Sequence, residues 1–129
     1  MYSALTWKHM QDPQNRGVLK NPDAVGEAHY PPCGDHFILQ LQVQEGRIVQ
    51  AKFLAKACGP VVAVGSAATT MLESLTLEQA RNVSAFQLDQ LLGGLPLPKR
   101  HALLLFLDSL HQAIEQYSKE NYQNVDHQC

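Results

Sequence analysis

The sequence has little of several features that would indicate a compartment or a macromolecular partner. Its longest wholly apolar run, Ala102 to Leu107, is six residues, whereas a membrane span needs roughly 20. Ten Lys and Arg residues against 12 Asp and Glu residues give a net charge of -2, so there is no basic excess for neutralising nucleic-acid phosphates. The first 20 residues contain no apolar stretch typical of a secretory signal. We expect a cytoplasmic protein that binds neither membrane nor nucleic acid.

Cysteine is also scarce, and the common catalytic motifs are missing. Three cysteines, Cys33, Cys58 and Cys129, are odd in number, which in a reducing compartment argues against a disulfide framework. The sequence has no Gly-rich phosphate loop, no Gly-x-Ser-x-Gly elbow and no His-Glu-x-x-His helix. Cys, His and Asp side chains remain as the candidates for chemistry, and the question becomes one of metal or thiol chemistry.

What the sequence does contain predicts one α+β domain over residues 1–118. A short N-terminal helix lies between Tyr2 and Gln11 and is stopped by Asp12-Pro13. Residues 13–32 hold four prolines and show no periodicity, which predicts a long surface loop. Residues 119–129 are polar, and we expect them to form a flexible tail.

An antiparallel hairpin is predicted next. Leu39, Leu41 and Val43 alternate with glutamines, which is the pattern of a half-buried strand. Glu45-Gly46 provides a two-residue turn. Beyond it, Val49, Ala51 and Phe53 are predicted to share one face of a second strand.

Helices are predicted for the rest of the chain. Small apolar residues from Val61 to Leu72 favour a closely packed helix with Pro60 as its first residue. Thr76 and Ser84 each begin a capping-box pattern, and apolar residues from Leu103 to Tyr117 mark one face of a long last helix. We therefore expect a small antiparallel sheet of about three strands with helices packed on one face.

Four residues are candidates for a metal site. Cys33 and Asp35 stand two apart at the start of the first predicted strand, where period-two geometry directs both side chains to one side. Cys58 precedes a predicted helix, whose positive end favours the thiolate. His101 falls in the first turn of the last predicted helix, directly after Lys99-Arg100. Together these residues could complete a four-coordinate site for a borderline-soft metal.

Each candidate also has a purely structural interpretation. A lone cysteine is often a small buried apolar residue, and Asp35 could be a turn residue that accepts a backbone hydrogen bond. Lys99-Arg100 stands where the helix dipole disfavours cations. A metal centre, an acidic partner or plain solvation could each account for that pair of residues.

The order of these motifs resembles the IscU/NifU N-terminal family of iron-sulfur cluster assembly scaffolds, from Tyr2 to about Tyr117. The segment Asp12-Pro13-Gln14-Asn15-Arg16-Gly17 is similar to the family's Asn-Pro-x-Asn-x-Gly. Cys33-Gly34-Asp35 resembles its first ligand motif, and Cys58-Gly59 resembles its second. Leu95-Pro96-Leu97-Pro98-Lys99-Arg100-His101-Ala102 is similar to Leu-Pro-Pro-Val-Lys-x-His-Cys, which specialised heat-shock chaperones bind and which supplies two ligands.

The resemblance implies an IscU/NifU-like (SufE/NifU-like) fold and a scaffold or carrier with no turnover chemistry. It would hold iron or a transient two-iron, two-sulfide (2Fe-2S) cluster, with zinc a possible occupant of the purified protein. The ligands would be Cys33, Asp35, Cys58 and His101. The partners implied are a cysteine desulfurase, a chaperone and apo acceptor proteins, and the protein would be a monomer or weak dimer. A chaperone would contact the segment containing Leu95, Pro96, Pro98, Lys99 and Arg100.

The sequence departs from the family at one chemically important position. Ala102 stands where the family has its third cysteine, the usual sulfur acceptor and a cluster ligand. A second hypothesis therefore stays open, in which the chain is a zinc-binding or metal-free regulatory module that docks on a desulfurase without assembling clusters. In a third, no metal binds and the cysteines are packing residues.

Overall fold

The computed structural model describes residues 1–128, with side chains through residue 120, and shows five α-helices and three β-strands within that range. The three strands form one antiparallel sheet in the order β1-β2-β3, so the predicted α+β class and strand number are confirmed. No described helix is both long and apolar enough to cross a membrane. The elements are α1 (Ala4–Gln11), β1 (Ala24–Tyr30), β2 (Asp35–Gln44), β3 (Arg47–Lys56), α2 (Gly59–Leu72), α3 (Leu77–Arg81), α4 (Ala85–Leu91) and α5 (His101–Gln128).

The hairpin of β2 and β3 confirms the prediction except at one residue. Glu45 and Gly46 both have positive φ, 51° and 75°, as a two-residue hairpin turn requires. Val49, however, is 44% exposed, so its predicted place on the buried face was wrong. The register shifts beside Val43, which pairs with Ile48, and this β-bulge turns Ile48 inward in place of Val49.

Strand β1 lies inside the segment predicted to be a loop, so that prediction was wrong for residues 24–30. Its inward residues are Ala24, Gly26 and Ala28, which have low strand propensity and little apolar surface, so the alternation is hard to recognise. Small residues are needed because α5 packs closely on β1. A Cβ atom on Gly26 would overlap the Ser109 carbonyl oxygen.

The core lies between one face of the sheet and helices α2 and α5, as predicted. The aromatic rings of Phe37, Phe53 and Phe106 are fully buried there, with ring centroids 5.4 and 5.8 Å apart. Helix α2 approaches these rings through Gly65, where a Cβ atom would lie 2.7 Å from the Phe53 ring. The small residues of α2 therefore allow the close packing that the sequence predicted.

Caps and side-chain hydrogen bonds fix the ends of the helices. Both predicted capping boxes are present, at Thr76 and at Ser84, and His101 lies in the first turn of α5, as expected, where it is the first residue. Helix α1 is joined to α2 because the Ser66 hydroxyl lies 2.7 Å from Nδ1 of His9 and accepts the Gln14 amide. The backbone of α5 is helical through residue 128. Of the predicted flexible tail, Cys129 and the side chains beyond residue 120 lie outside the described part, and that prediction stays untested.

Candidate metal centre

Asp35 is the centre of the candidate site. It is the first residue of β2, and it is only 3% exposed. Its Oδ1 accepts the backbone amide of Cys58 at 3.3 Å, and its Oδ2 accepts Nε2 of His101 at 3.1 Å. The Cys58 Sγ lies 3.8 Å from the same Oδ2. One buried carboxylate thus contacts side chains from the starts of α2 and α5.

Cys33 reaches this carboxylate by a different route from the one predicted. It does not belong to the strand but ends a 3-10 turn, Pro31–Cys33. Gly34 then adopts a left-handed conformation with φ 68°, which glycine accommodates at little cost. The Cys33 thiol is exposed, and ligand atoms of Cys33, Asp35 and His101 all lie within 4.8 Å of one another.

The Cys58 thiol differs from the predicted thiolate. Cys58 caps the N-terminus of α2, and a contact from the Val61 backbone does lower its pKa, as does the charge of Lys99. Burial has the larger effect and raises the pKa of Cys58, and the Asp35 carboxylate raises it further. In the metal-free protein, Cys58 is therefore a half-buried neutral thiol rather than an activated nucleophile.

His101 is oriented from two sides. One ring edge donates to Asp35, and the ring face stacks on Tyr30 with centroids 4.4 Å apart and planes 16° apart. Tyr30 is not among the predicted site residues, because it ends strand β1, which lies in the segment predicted to be a loop. Had β1 been recognised, its pairing Tyr30↔Asp35 would have placed the ring beside the site.

The four predicted residues form a donor set suited to a borderline-soft metal. Two thiols and an imidazole surround the Asp35 carboxylate: Cys58 and His101 contact its Oδ2 through hydrogen bonds, and Cys33 has its thiol within 4.8 Å of a carboxylate oxygen and of the imidazole. Metal binding at such a site releases the thiol protons, because cysteine binds as the thiolate and histidine as the neutral ring. Zinc and iron both accept sulfur and nitrogen ligands together with a carboxylate.

A cleft of about 410 Å³ opens beside His101 and is lined by Tyr30, Leu97, Pro98 and Leu104, among others. Leu97 and Leu104 are 79% and 58% exposed, an unusual exposure for large apolar side chains that are close together. The structure therefore places an apolar surface next to the candidate ligands.

The residues predicted to bind a partner are divided by the fold. Pro98 is exposed, and Pro96, Lys99 and Arg100 are half-buried, so all four reach the surface. Leu95 is 7% exposed and belongs to the core, so its side chain is not accessible to a partner, contrary to the sequence prediction. The charge of Arg100 is balanced by Asp89, with nitrogen and oxygen 3.7 Å apart.

Comparison with known proteins decides the family. Residues 1–124 match the NifU-like N-terminal domain. The chain belongs to this family. Two Archaeoglobus fulgidus proteins, each named iron-sulfur cluster assembly scaffold protein IscU, are 36% identical to it over 121 residues, which is 94% of this chain and 79% of theirs. A protein of that name from Aquifex aeolicus is 33% identical, over 90% of this chain and 75% of its own.

Solved structures of the NifU-like family share the fold. The N-terminal NifU-like protein from Brucella abortus superposes with a TM-score of 0.72 at 20% identity, covering 91% of this chain and 94% of its own. A putative scaffold protein for the SUF system from Fervidobacterium islandicum gives 0.71 at 18% identity, covering 88% and 96%. The predicted family and fold are confirmed.

Proposed function

We propose that this protein is an iron-sulfur cluster assembly scaffold or carrier that passes its cargo to acceptor proteins. The observation that carries the proposal is the convergence of Cys33, Cys58 and His101 on the buried carboxylate of Asp35. These residues come from three separate parts of the chain. The names of the relatives support cluster assembly over a regulatory module that assembles nothing.

The ligand set suits a cargo that must leave. Cys33 and Cys58 provide thiolates for iron, while His101 and Asp35 provide harder ligands with a weaker hold on an iron-sulfur centre. The exposed Cys33 gives access from solvent, and the burial of Asp35 positions the remaining donors. A two-iron, two-sulfide cluster is the form that this set of four ligands favours.

Metal and sulfide content of protein purified without oxygen tests this function. Wild-type protein is expected to contain iron with matching acid-labile sulfide, and the Cys33→Ala/Cys58→Ala double variant is expected to contain neither. Cys129→Ala is the matched control for removal of a thiol and should retain both. Zinc without sulfide in the wild type, lost in the double variant, would support the regulatory module. If none of the proteins contained metal, only the family fold would remain supported and the scaffold function would not.

Asp35 is proposed to be the labile ligand. Replacing it with alanine leaves the cargo on softer ligands, so transfer from Asp35→Ala protein to an apo acceptor should be slower than from wild type. The measurement is the rate at which an apo ferredoxin gains its visible absorption. Equal or faster transfer would show that Asp35 has another role.

Ala102 bears on how sulfur arrives. Its side chain is fully buried, directly after His101 at the start of α5, and the family has a cysteine here. We propose that sulfur from a cysteine desulfurase is accepted by the exposed Cys33, with the apolar surface at Leu97 and Leu104 as the docking region for that partner or a chaperone. Persulfide on Cys33 after incubation with desulfurase and cysteine is the expected result, and Leu97→Asp should reduce it. If only Ala102→Cys protein acquires sulfur, de novo assembly has been lost from this chain.

A further inference from the structure

A second group of metal-ligating side chains lies on the sheet face opposite the core. In β1, the inward positions are occupied by small residues, so Glu27 and His29 project to the open face. His36 of β2 is the cross-strand partner of His29 and also points outward, since its neighbour Asp35 is on the buried side. The three side chains are exposed or half-exposed.

The three side chains already approach one another. Nε2 of His36 lies 3.2 Å from Oε2 of Glu27, and the imidazole rings of His29 and His36 stack with centroids 4.1 Å apart. One ligand atom from each residue lies within 4.8 Å of the other two. Small rotations about the side-chain torsions would bring these atoms to the separation of ligands around one ion.

The backbone beneath this triad is held in place. Glu27, Ile38 and the two histidines belong to the regular β1–β2 ladder, and the amide of Glu27 donates to Oε1 of Gln112 on α5. Because the backbone is already ordered, binding an ion restricts only the side-chain torsions of the three ligands. The cost in conformational entropy is therefore small compared with that of a loop site.

We propose that Glu27, His29 and His36 form a second divalent-metal site, distinct from the candidate centre at Asp35. Two imidazoles and one carboxylate are the ligands that zinc accepts, with water at the open position. The site contains no sulfur, so it takes a single borderline ion such as Zn²⁺ and not an iron-sulfur cluster. Lys56, the partner of His36 on the β3 side, adds a positive charge nearby, which Glu27 offsets.

Chelator-treated protein titrated with Co²⁺ and Zn²⁺ tests this site separately from the proposed scaffold function. In Cys33→Ala/Cys58→Ala protein, one Co²⁺ ion per chain should still bind, with visible d–d bands and without sulfur-to-cobalt charge transfer. Calorimetry with Zn²⁺ should show the same event. Adding His29→Ala/His36→Ala should abolish it, whereas adding His111→Ala, a histidine exposed on α5, should not.

Two outcomes would overturn the proposal. One is that Cys33→Ala/Cys58→Ala protein binds neither ion. The three side chains would then form only the His36–Glu27 ion pair and the His29–His36 ring stack. The other is that binding is unchanged by His29→Ala/His36→Ala. Far-ultraviolet circular dichroism checks that these exposed substitutions leave the fold intact. Iron and sulfide content of the otherwise wild-type His29→Ala/His36→Ala protein should be normal, so failure here and failure of the scaffold function are distinguishable.

Discussion

A single carboxylate organises the chemistry of this protein, because Asp35 contacts both Cys58 and His101 from a position shielded from water. Burial alone would make such a group costly, and its hydrogen bonds offset that cost. Burial raises the pKa of the Cys58 thiol, and the charge of this carboxylate raises it further. Removing its charge should therefore change the chemistry of Cys58 in a measurable direction.

Alkylation measures this coupling. In metal-free protein, the pH midpoint for iodoacetamide labelling of Cys58 should lie above the ordinary thiol pKa of 9.0, because burial and the Asp35 charge both raise it. Asp35→Asn should lower the midpoint relative to wild type. The midpoint should still lie above 9.0, because burial is the larger cause of the raised pKa. Mass spectrometry follows each site, with Cys33 as the internal reference. An unchanged Cys58 profile in Asp35→Asn protein would contradict the coupling.

His9 gives the fold a pH dependence. Its pKa is lowered from 6.5, first by burial and then by the neighbouring Lys8, so the folded state favours the neutral ring, which is hydrogen-bonded to the Ser66 hydroxyl. The unfolded chain then binds more protons below pH 6.5, and stability falls as pH drops through the folded-state pKa. His9→Asn, which retains an acceptor, should flatten the denaturation free energy between pH 6.5 and that lower pKa. Equal slopes in both proteins would exclude His9 as the cause.

Some residue positions could not be predicted from the sequence. Gln40 alternates with the buried leucines and was expected to face solvent, yet it is 5% exposed. Its amide donates to the Gly17 carbonyl and its oxygen accepts the Leu19 amide, so the preceding loop covers it. Such burial depends on where a distant segment lies, which periodicity does not report.

Among the elements, the packing of α5 on β1 tolerates the least change. Gly26→Ala places a methyl group against the Ser109 carbonyl oxygen, so either helix or strand must move, at a cost of about 3 kcal/mol. Gly46→Asn is the control: Gly46 has a positive φ of 75° but open space around it, and asparagine tolerates positive φ, so its cost should be below about 1 kcal/mol. Urea denaturation measures both, and equal losses would mean that the contact is not tight.

The outer edge of β1 is completed by side chains instead of a fourth strand. Oε1 of Gln112 accepts the Glu27 amide at 2.6 Å, and Oε1 of Gln116 accepts the Val25 amide at 3.1 Å. Residues one helical turn apart on α5 thus satisfy alternate amides of the strand. An unsatisfied strand edge is a template for pairing with another chain.

Removing the side chains of Gln112 and Gln116 should expose the outer edge of β1. Gln112→Ala/Gln116→Ala should cost about 1 kcal/mol for each lost hydrogen bond and should increase association at high concentration. Glu115→Ala, on the same helix, removes only an exposed pair with Lys119 and should change stability by less than about 0.5 kcal/mol. Denaturation and light scattering provide the two measurements. Unchanged values for the double variant would show that water replaces the glutamines at no cost.

Elements with strong local signals were predicted well and β1 was not. Strands β2 and β3 alternate bulky apolar residues with polar ones around a Glu-Gly turn, and the capping boxes at Thr76 and Ser84 are local in sequence. Strand β1 instead alternates Ala and Gly with larger residues. The residues on its buried face are small because α5 packs closely against them, so only the tertiary structure identifies the strand.

For the whole molecule, the candidate centre ties together segments that are far apart in the chain. The family resemblance implies four ligands, and the fold brings these candidate residues together around Asp35, between the starts of β2, α2 and α5. The resemblance did not predict that Leu95 would be buried or that Tyr30 would support His101, because both depend on packing beyond the motifs.

Metal binding at this junction should stabilise the entire fold. An ion that binds only the folded state adds about 2.7 kcal/mol at a hundredfold excess over its Kd, so Zn²⁺ should raise the Tm of chelator-treated protein. The rise should be lost in Cys33→Ala/Cys58→Ala/His29→Ala/His36→Ala protein and kept in Cys129→Ala protein. Scanning calorimetry gives the result, and an unchanged wild-type Tm would argue against any zinc site.

The dependence of β1 on α5 has a consequence for synthesis on the ribosome. Roughly 80 residues separate Ala28 from Ser109, so at about 5–20 residues per second the strand waits several seconds for the helix that covers it. During that time β1 has an open outer edge and an inner face that α5 does not yet cover. The alanines and glycine of β1 have a low propensity to form intermolecular strands. The composition that makes this strand hard to predict therefore also protects the unfinished chain from aggregation.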